Sequence, residues 1–100
     1  MIIQMDNGAV VNTDKATARW NEDTWWDGHN NISKATGSQW EHETLYKSSK
    51  GRYYILSQSN VQGTPTTAEW QTGEAAARWL LTNGHDLPDD LEAQREAIEE

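Results

Sequence analysis

Gln39-Trp40-Glu41-His42-Glu43-Thr44-Leu45-Tyr46-Lys47-Ser48, followed after Ser49-Lys50 by Gly51-Arg52-Tyr53-Tyr54-Ile55-Leu56-Ser57-Gln58-Ser59, decides the fold. In the first run Trp40, His42, Thr44 and Tyr46 alternate with Glu41, Glu43 and Lys47, with Leu45 as the exception. Alternation with period two predicts a half-buried strand with one wet face. The second run is apolar on both faces from Tyr53 to Leu56, which predicts a strand central in its sheet. Ser48-Ser49-Lys50-Gly51 is the turn between them.

Working outward, Ile2–Met5 and Ala9–Asn12 flank Asp6-Asn7-Gly8, and Asn-Gly predicts a hairpin turn. A short strand is expected around Ala16–Trp20, then a long polar loop to residue 38 in which Gly28 and Gly37 mark turns. Gly63 and Pro65 place a loop before a last strand over Thr67–Gln71. Thr72 is an N-cap, Ala75-Ala76-Ala77 favour helix, and Ala76, Trp79, Leu80 and Asn83 share one face; Gly84 ends the helix. Pro88, followed by Asp89 and Asp90, fits the first turn of a second, weak helix. The expected fold class is α+β: an antiparallel sheet of four to five short strands, one packed helix and a short acidic C-terminal helix. Residues 1–85 form a single α+β domain, and 86–100 an acidic helix or tail.

The chain has 100 residues, one domain's worth, with no Phe and no Cys but six Trp and three Tyr. Aromatic rings must therefore supply much of the core. Without Cys, disulfides and thiolate metal sites are excluded. The N-terminal residues lack a basic region and a long apolar run, so no signal peptide is expected. No stretch approaches the roughly 20 apolar residues of a membrane span. A cytoplasmic location follows as the expectation.

Seven of the sixteen acidic residues lie in residues 86–100 beside one arginine; this segment carries −6 of the net −8. Direct nucleic-acid binding is disfavoured, because phosphate neutralisation needs clustered Lys and Arg. Only Lys47, Lys50 and Arg52 gather, around one turn, where solvation of the turn is the simplest role. The acidic segment reads as a solvated terminus, as a docking surface for a basic protein, or as a nucleic-acid mimic. In the docking reading, Leu87, Leu91 and Ile98 are apolar anchors, and Asp86, Asp89, Asp90 and Glu92 steer encounter. A nearly neutral body speaks against mimicry.

Trp25-Trp26-Asp27-Gly28-His29-Asn30-Asn31 is the richest local cluster. Exposed indoles supply binding area, and Asp27, His29 and Asn30 supply directional hydrogen bonds, which together make a recognition loop. The competing reading sends one ring into a core that lacks Phe and leaves the other partly exposed. A sugar stacked on Trp25 or Trp26 is the alternative ligand. A small enzyme using His29 or His42 with nearby carboxylates is a third reading. No nucleophile elbow, phosphate loop or metal-ligand spacing supports it, so no catalytic residue, cofactor or metal is assigned.

The strand pair, the segment Lys50-Gly51-Arg52-Tyr53-Tyr54, the helix Glu74-Ala75-Ala76-Ala77-Arg78-Trp79-Leu80, Asn83-Gly84-His85 and Leu87-Pro88 resemble a type of small bacterial and mobile-element protein. Its members are short chains with a strand meander followed by a helix and a Gly-His-x-Leu-Pro turn. The resemblance covers about half of the chain, and its motifs are structural. It implies a setting in which small acidic phage and plasmid proteins bind and block a host factor. The expectation is a non-enzymatic protein-binding module acting by occlusion on a protein partner with a basic surface. A flat edge strand carrying Tyr and Trp also offers a homodimer contact.

Overall fold

The computed structural model describes residues 1–5 and 8–98, with side chains through residue 96. Its strands are β1 (Ile2–Gln4), β2 (Val10–Asn12), β3 (Ala18–Asn21), β4 (Thr24–Trp26), β5 (Asn31–Ser33), β6 (Glu41–Lys47), β7 (Tyr53–Ser59) and β8 (Thr67–Gln71). Helix α1 spans Gly73–Thr82, and a 3-10 helix over Asp89–Gln94 leads into α2 (Arg95–Ile98). The main sheet is antiparallel, in the order β3-β6-β7-β8, with β7 internal as its two apolar faces predict. β1-β2 and β4-β5 are separate two-stranded hairpins. The architecture is α+β, and among the described residues no helix is long and apolar enough to cross a membrane.

Both faces of the main sheet are covered, which the alternation in β6 does not foretell. Leu45, Tyr53 and Ile55 pack under Ala76, Ala77, Trp79 and Leu80 of α1, with Leu87 and Leu91 completing the cluster. On the opposite face Tyr46, Tyr54, Leu56 and Ala68 pack beneath Ile3, Met5 and Val11 of the N-terminal hairpin. The face of Glu43 and Lys47, expected to be wet, is therefore the helix-bearing face. Leu45 was its marker: fully buried, it fixes that side as core. The two charged neighbours end on partners at the rim. The Trp79 indole donates to Glu43 Oε1 at 3.0 Å, and Lys47 Nζ pairs with Asp90 Oδ2 at 3.1 Å.

Helix α1 begins and ends as its sequence dictates. Thr72 Oγ1 accepts from the Ala75 amide at 3.1 Å. At the other end Gly84 takes a φ of 77°, open to glycine without a Cβ penalty. Its amide bonds to the Leu81 carbonyl, and that of His85 to Leu80, so the last carbonyls are satisfied in a Schellman closure. His85 then stacks on Trp79, ring centroids 6.3 Å apart. Asn83, buried, donates to the Trp79 carbonyl and accepts from the Asp23 amide, both at 2.8 Å. One side chain thus closes the helix and anchors the segment that leads into β4.

The C-terminal segment departs from expectation. Pro88 caps a 3-10 helix rather than opening an α-helix. Leu87 and Leu91, expected as anchors for a partner, are buried in this chain's own core. Tyr53 Oη donates to both Asp90 oxygens, at 3.0 and 2.9 Å, while Lys47 supplies the countercharge. Burial acts to raise the Asp90 carboxyl, but the hydrogen bonds from Tyr53 and Lys47 outweigh it and hold the carboxyl below its usual range. Residues 86–96 therefore continue the core of residues 1–85. The predicted Asp6-Asn7 turn and the anchor Ile98 fall on positions whose turn and side chain, respectively, lie outside the described residues.

Candidate functional site

The long loop expected over residues 21–38 contains the hairpin β4-β5, registered Thr24 to Ser33, Trp25 to Ile32 and Trp26 to Asn31. Its four-residue turn is built by Asp27. Oδ1 accepts from the backbone amides of His29 at 2.8 Å and Asn30 at 2.7 Å, and the Asp27 amide donates to the Asn30 carbonyl. The Asn30 and His29 amides, in that order, hold the Asp27 carboxyl below its usual value. Gly28 takes a φ of 106°, outside what a side chain adopts without strain. Asp27 was expected to bond a ligand. Its Oδ1 is instead spent on the turn.

Successive strand residues point to opposite faces, so Trp25 and Trp26 emerge on the two sides of this ribbon. Their exposures are 49% and 62%; neither ring enters the core. The expected burial of one of them in the core does not occur. Tyr46, Tyr53, Tyr54 and Trp79 are the buried rings instead. His29, Asn30 and Asn31 are also exposed around the tip. The result is a short blade with an indole on each flank and polar groups at its end.

An isolated two-stranded hairpin is marginal in water, and the base of this one is held by Glu22. Glu22 Oε1 accepts from Ser33 Oγ at 3.0 Å and from the Glu43 amide at 2.6 Å. Glu22 Oε2 faces His42 Nδ1 at 2.7 Å. His42 Nε2 lies 3.1 Å from the Gln39 carbonyl and 3.2 Å from the Asn60 amide nitrogen. Ser33, fully buried, also accepts from the Ala35 and Thr36 amides. Lys34 pairs with Asp23 at 2.8 Å and, with the Thr24 amide second, holds that carboxyl below its usual value. Every ring nitrogen and carboxylate oxygen of the His42–Glu22 pair is engaged within the chain. It acts as a clamp tying the hairpin base to β6.

His42 was expected to have no local carboxylate, since Glu41 and Glu43 flank it in a strand. That geometry holds, and the acid comes from elsewhere: Glu22. No local pattern marks Glu22, because its partners lie 11, 20 and 21 residues away. The second expected surface is divided by the fold. Asp86, Asp89 and Glu92 are exposed, Asp90 is held by Tyr53 and Lys47, and Leu91 is buried. Glu92 forms an ion pair with Arg95 at 3.1 Å. Among the described residues no group of three or more His, Asp or Glu side chains is placed to hold a metal ion. Searches against protein families, curated proteins and solved structures found no match to this chain.

Proposed function

We propose that this chain is a non-enzymatic protein-binding module that occludes a factor of a bacterial host by seating the Trp25/Trp26 hairpin in a groove on it. The observation that carries this reading is the exposure of two adjacent indoles, 49% and 62%, on opposite flanks of a ribbon. Soluble domains bury such rings when they can, and at interfaces Trp is the residue most enriched among those that dominate affinity. The turn is fixed by Asp27 and the base by Glu22, so little ordering is left to do on binding. With a net charge of −8, the complementary partner surface is basic, and the exposed carboxylates of Asp86, Asp89 and Glu92 accelerate encounter.

The test is binding of the isolated partner by the full chain and by a Trp25→Ala/Trp26→Ala variant. Loss of at least about thirtyfold in affinity is expected, equivalent to about 2 kcal/mol, with the melting temperature nearly unchanged. Unchanged affinity in the folded double variant rules the hairpin out. The Trp26–Asn31 pairing, which sets an amide beside an indole, favours one second reading, a carbohydrate stacked on Trp26. A sugar panel that shifts Trp emission saturably in the wild-type chain, and fails to do so in the double variant, would replace the protein partner with a sugar.

A further inference from the structure

A cavity of about 440 Å³ opens on the face of the main sheet covered by the N-terminal hairpin, away from α1. Its size falls within the range of small-molecule sites. Lys15, from the 3-10 turn after β2, meets Lys50 and Arg52, from the β6-β7 turn, along its wall. These are three of the eight Lys and Arg of a chain with net charge −8, and among the described residues no acidic side chain lines the cavity. Of the three cations around the β6-β7 turn, Lys47 pairs with Asp90 and stays off the cavity, and Lys15 joins Lys50 and Arg52 only through tertiary folding. All three side chains are exposed.

Unsatisfied polar chemistry lies just beneath the remaining wall. Tyr54 and Trp70 both line the cavity, and both the Tyr54 hydroxyl and the Trp70 indole nitrogen are buried without a hydrogen-bond partner. Leaving a buried donor unpaired is costly, so a native fold rarely keeps two together without a use for them. An indole N–H can only donate. Burial, with the Tyr46 phenol second, pushes the Tyr54 hydroxyl above its usual value, so it keeps its proton and can donate too. Tyr54 and Trp70 meet edge to face at 5.7 Å, and the Arg52 guanidinium lies 3.9 Å over the Trp70 ring. Ile2 and Val10, exposed at 70% and 61%, add an apolar rim.

We propose that this cavity binds a small organic anion, whose phosphate or carboxylate oxygens meet Lys15, Lys50 and Arg52 and, once a small side-chain shift uncovers them, the donors Tyr54 and Trp70, and whose apolar or planar body lies against Ile2 and Val10. Three cations and two unpaired donors, with no acid beside them among the described residues, select oxygen acceptors bearing negative charge. The site is separate from the Trp25/Trp26 hairpin and stands or falls independently of it.

The test is an NMR titration of the full chain, following the indole N–H resonance of Trp70, assigned with Trp70→Phe. The probes are inorganic phosphate, a nucleoside monophosphate, an aromatic carboxylate and, as control, the uncharged nucleoside. At least one anion is expected to shift the resonance saturably, with a Kd of about 1 mM or tighter. A Lys50→Gln/Arg52→Gln variant with an unchanged melting temperature is expected to bind at least about tenfold more weakly, the loss expected for removing charged partners. The phosphate and carboxylate arms decide between the two headgroups. Absence of any saturable shift, equal binding of the neutral nucleoside, or unchanged affinity in the variant overturns the proposal.

Discussion

Glu43 and Asp90 respond to pH with opposite sign, because one carboxylate is penalised by the fold and the other is held by it. Burial, eased by the Trp79 hydrogen bond and worsened by Glu22, raises the Glu43 carboxyl above 4.5. Its ionisation therefore works against folding. That penalty is complete above its raised value and vanishes as pH falls toward 4.5, so stability gains over this window. Asp90 is depressed below 3.8, so its contribution is present above 3.8 and is lost as pH falls through the lowered value. Glu43→Gln keeps an oxygen for the Trp79 indole and removes the charge. Urea melts should show it more stable than wild type near neutrality and without the gain toward pH 4.5. Asn83→Ala, which leaves the half-buried Asp23 amide without its acceptor and takes one of two donors from the Trp79 carbonyl, should lose about 1–3 kcal/mol in the same melts. Neither Glu43 nor Asn83 announces these roles in sequence. Glu43 sits in an alternating strand that reads as half wet, and only the fully buried Leu45 beside it betrays the covering helix. Glu22 is less legible still, since every partner it has is remote.

At the scale of elements, legibility followed the strength of local signals. The β6-β7 pair has long alternating or apolar runs, and α1 has Thr72 at one end and Gly84 at the other, so their register and ends follow from local chemistry. The β4-β5 hairpin has three-residue strands with adjacent tryptophans, no period to detect, and a turn whose signal is Asp27 with Gly28. Asp27→Ala should remove the two amide contacts that shape this turn. The expected outcome is broadened Trp25 and Trp26 NMR signals and a several-fold slower association with the partner, with the rest of the spectrum retained. The C-terminal segment is helical as expected, but its role in the core is hidden. Its acidic composition reads as a tail, whereas two leucines in it complete the core under α1. Leu91→Ala should lose about 2–5 kcal/mol in urea melts. The same packing means that removing residues 86–100 should destabilise the fold as well as any partner contact.

For the whole molecule, the structure is a sheet covered on both faces, with one hairpin left outside the core. Net charge acts at this scale through encounter rate. Asp86→Asn/Asp89→Asn/Glu92→Gln leaves the core intact, so it should lower the association rate and flatten its dependence on salt while changing dissociation little. In the proposed mode of binding, the exposed hairpin makes the contact. The measurement that bears on it most directly is quantitative capture from bacterial lysate by three forms of the full chain: wild type, Trp25→Ala/Trp26→Ala, and the triple charge variant. The expected result is one protein retained by wild type, lost by the tryptophan variant, and retained in reduced amount by the charge variant as salt is raised. Equal retention by the tryptophan variant, or no protein retained by wild type, would contradict it.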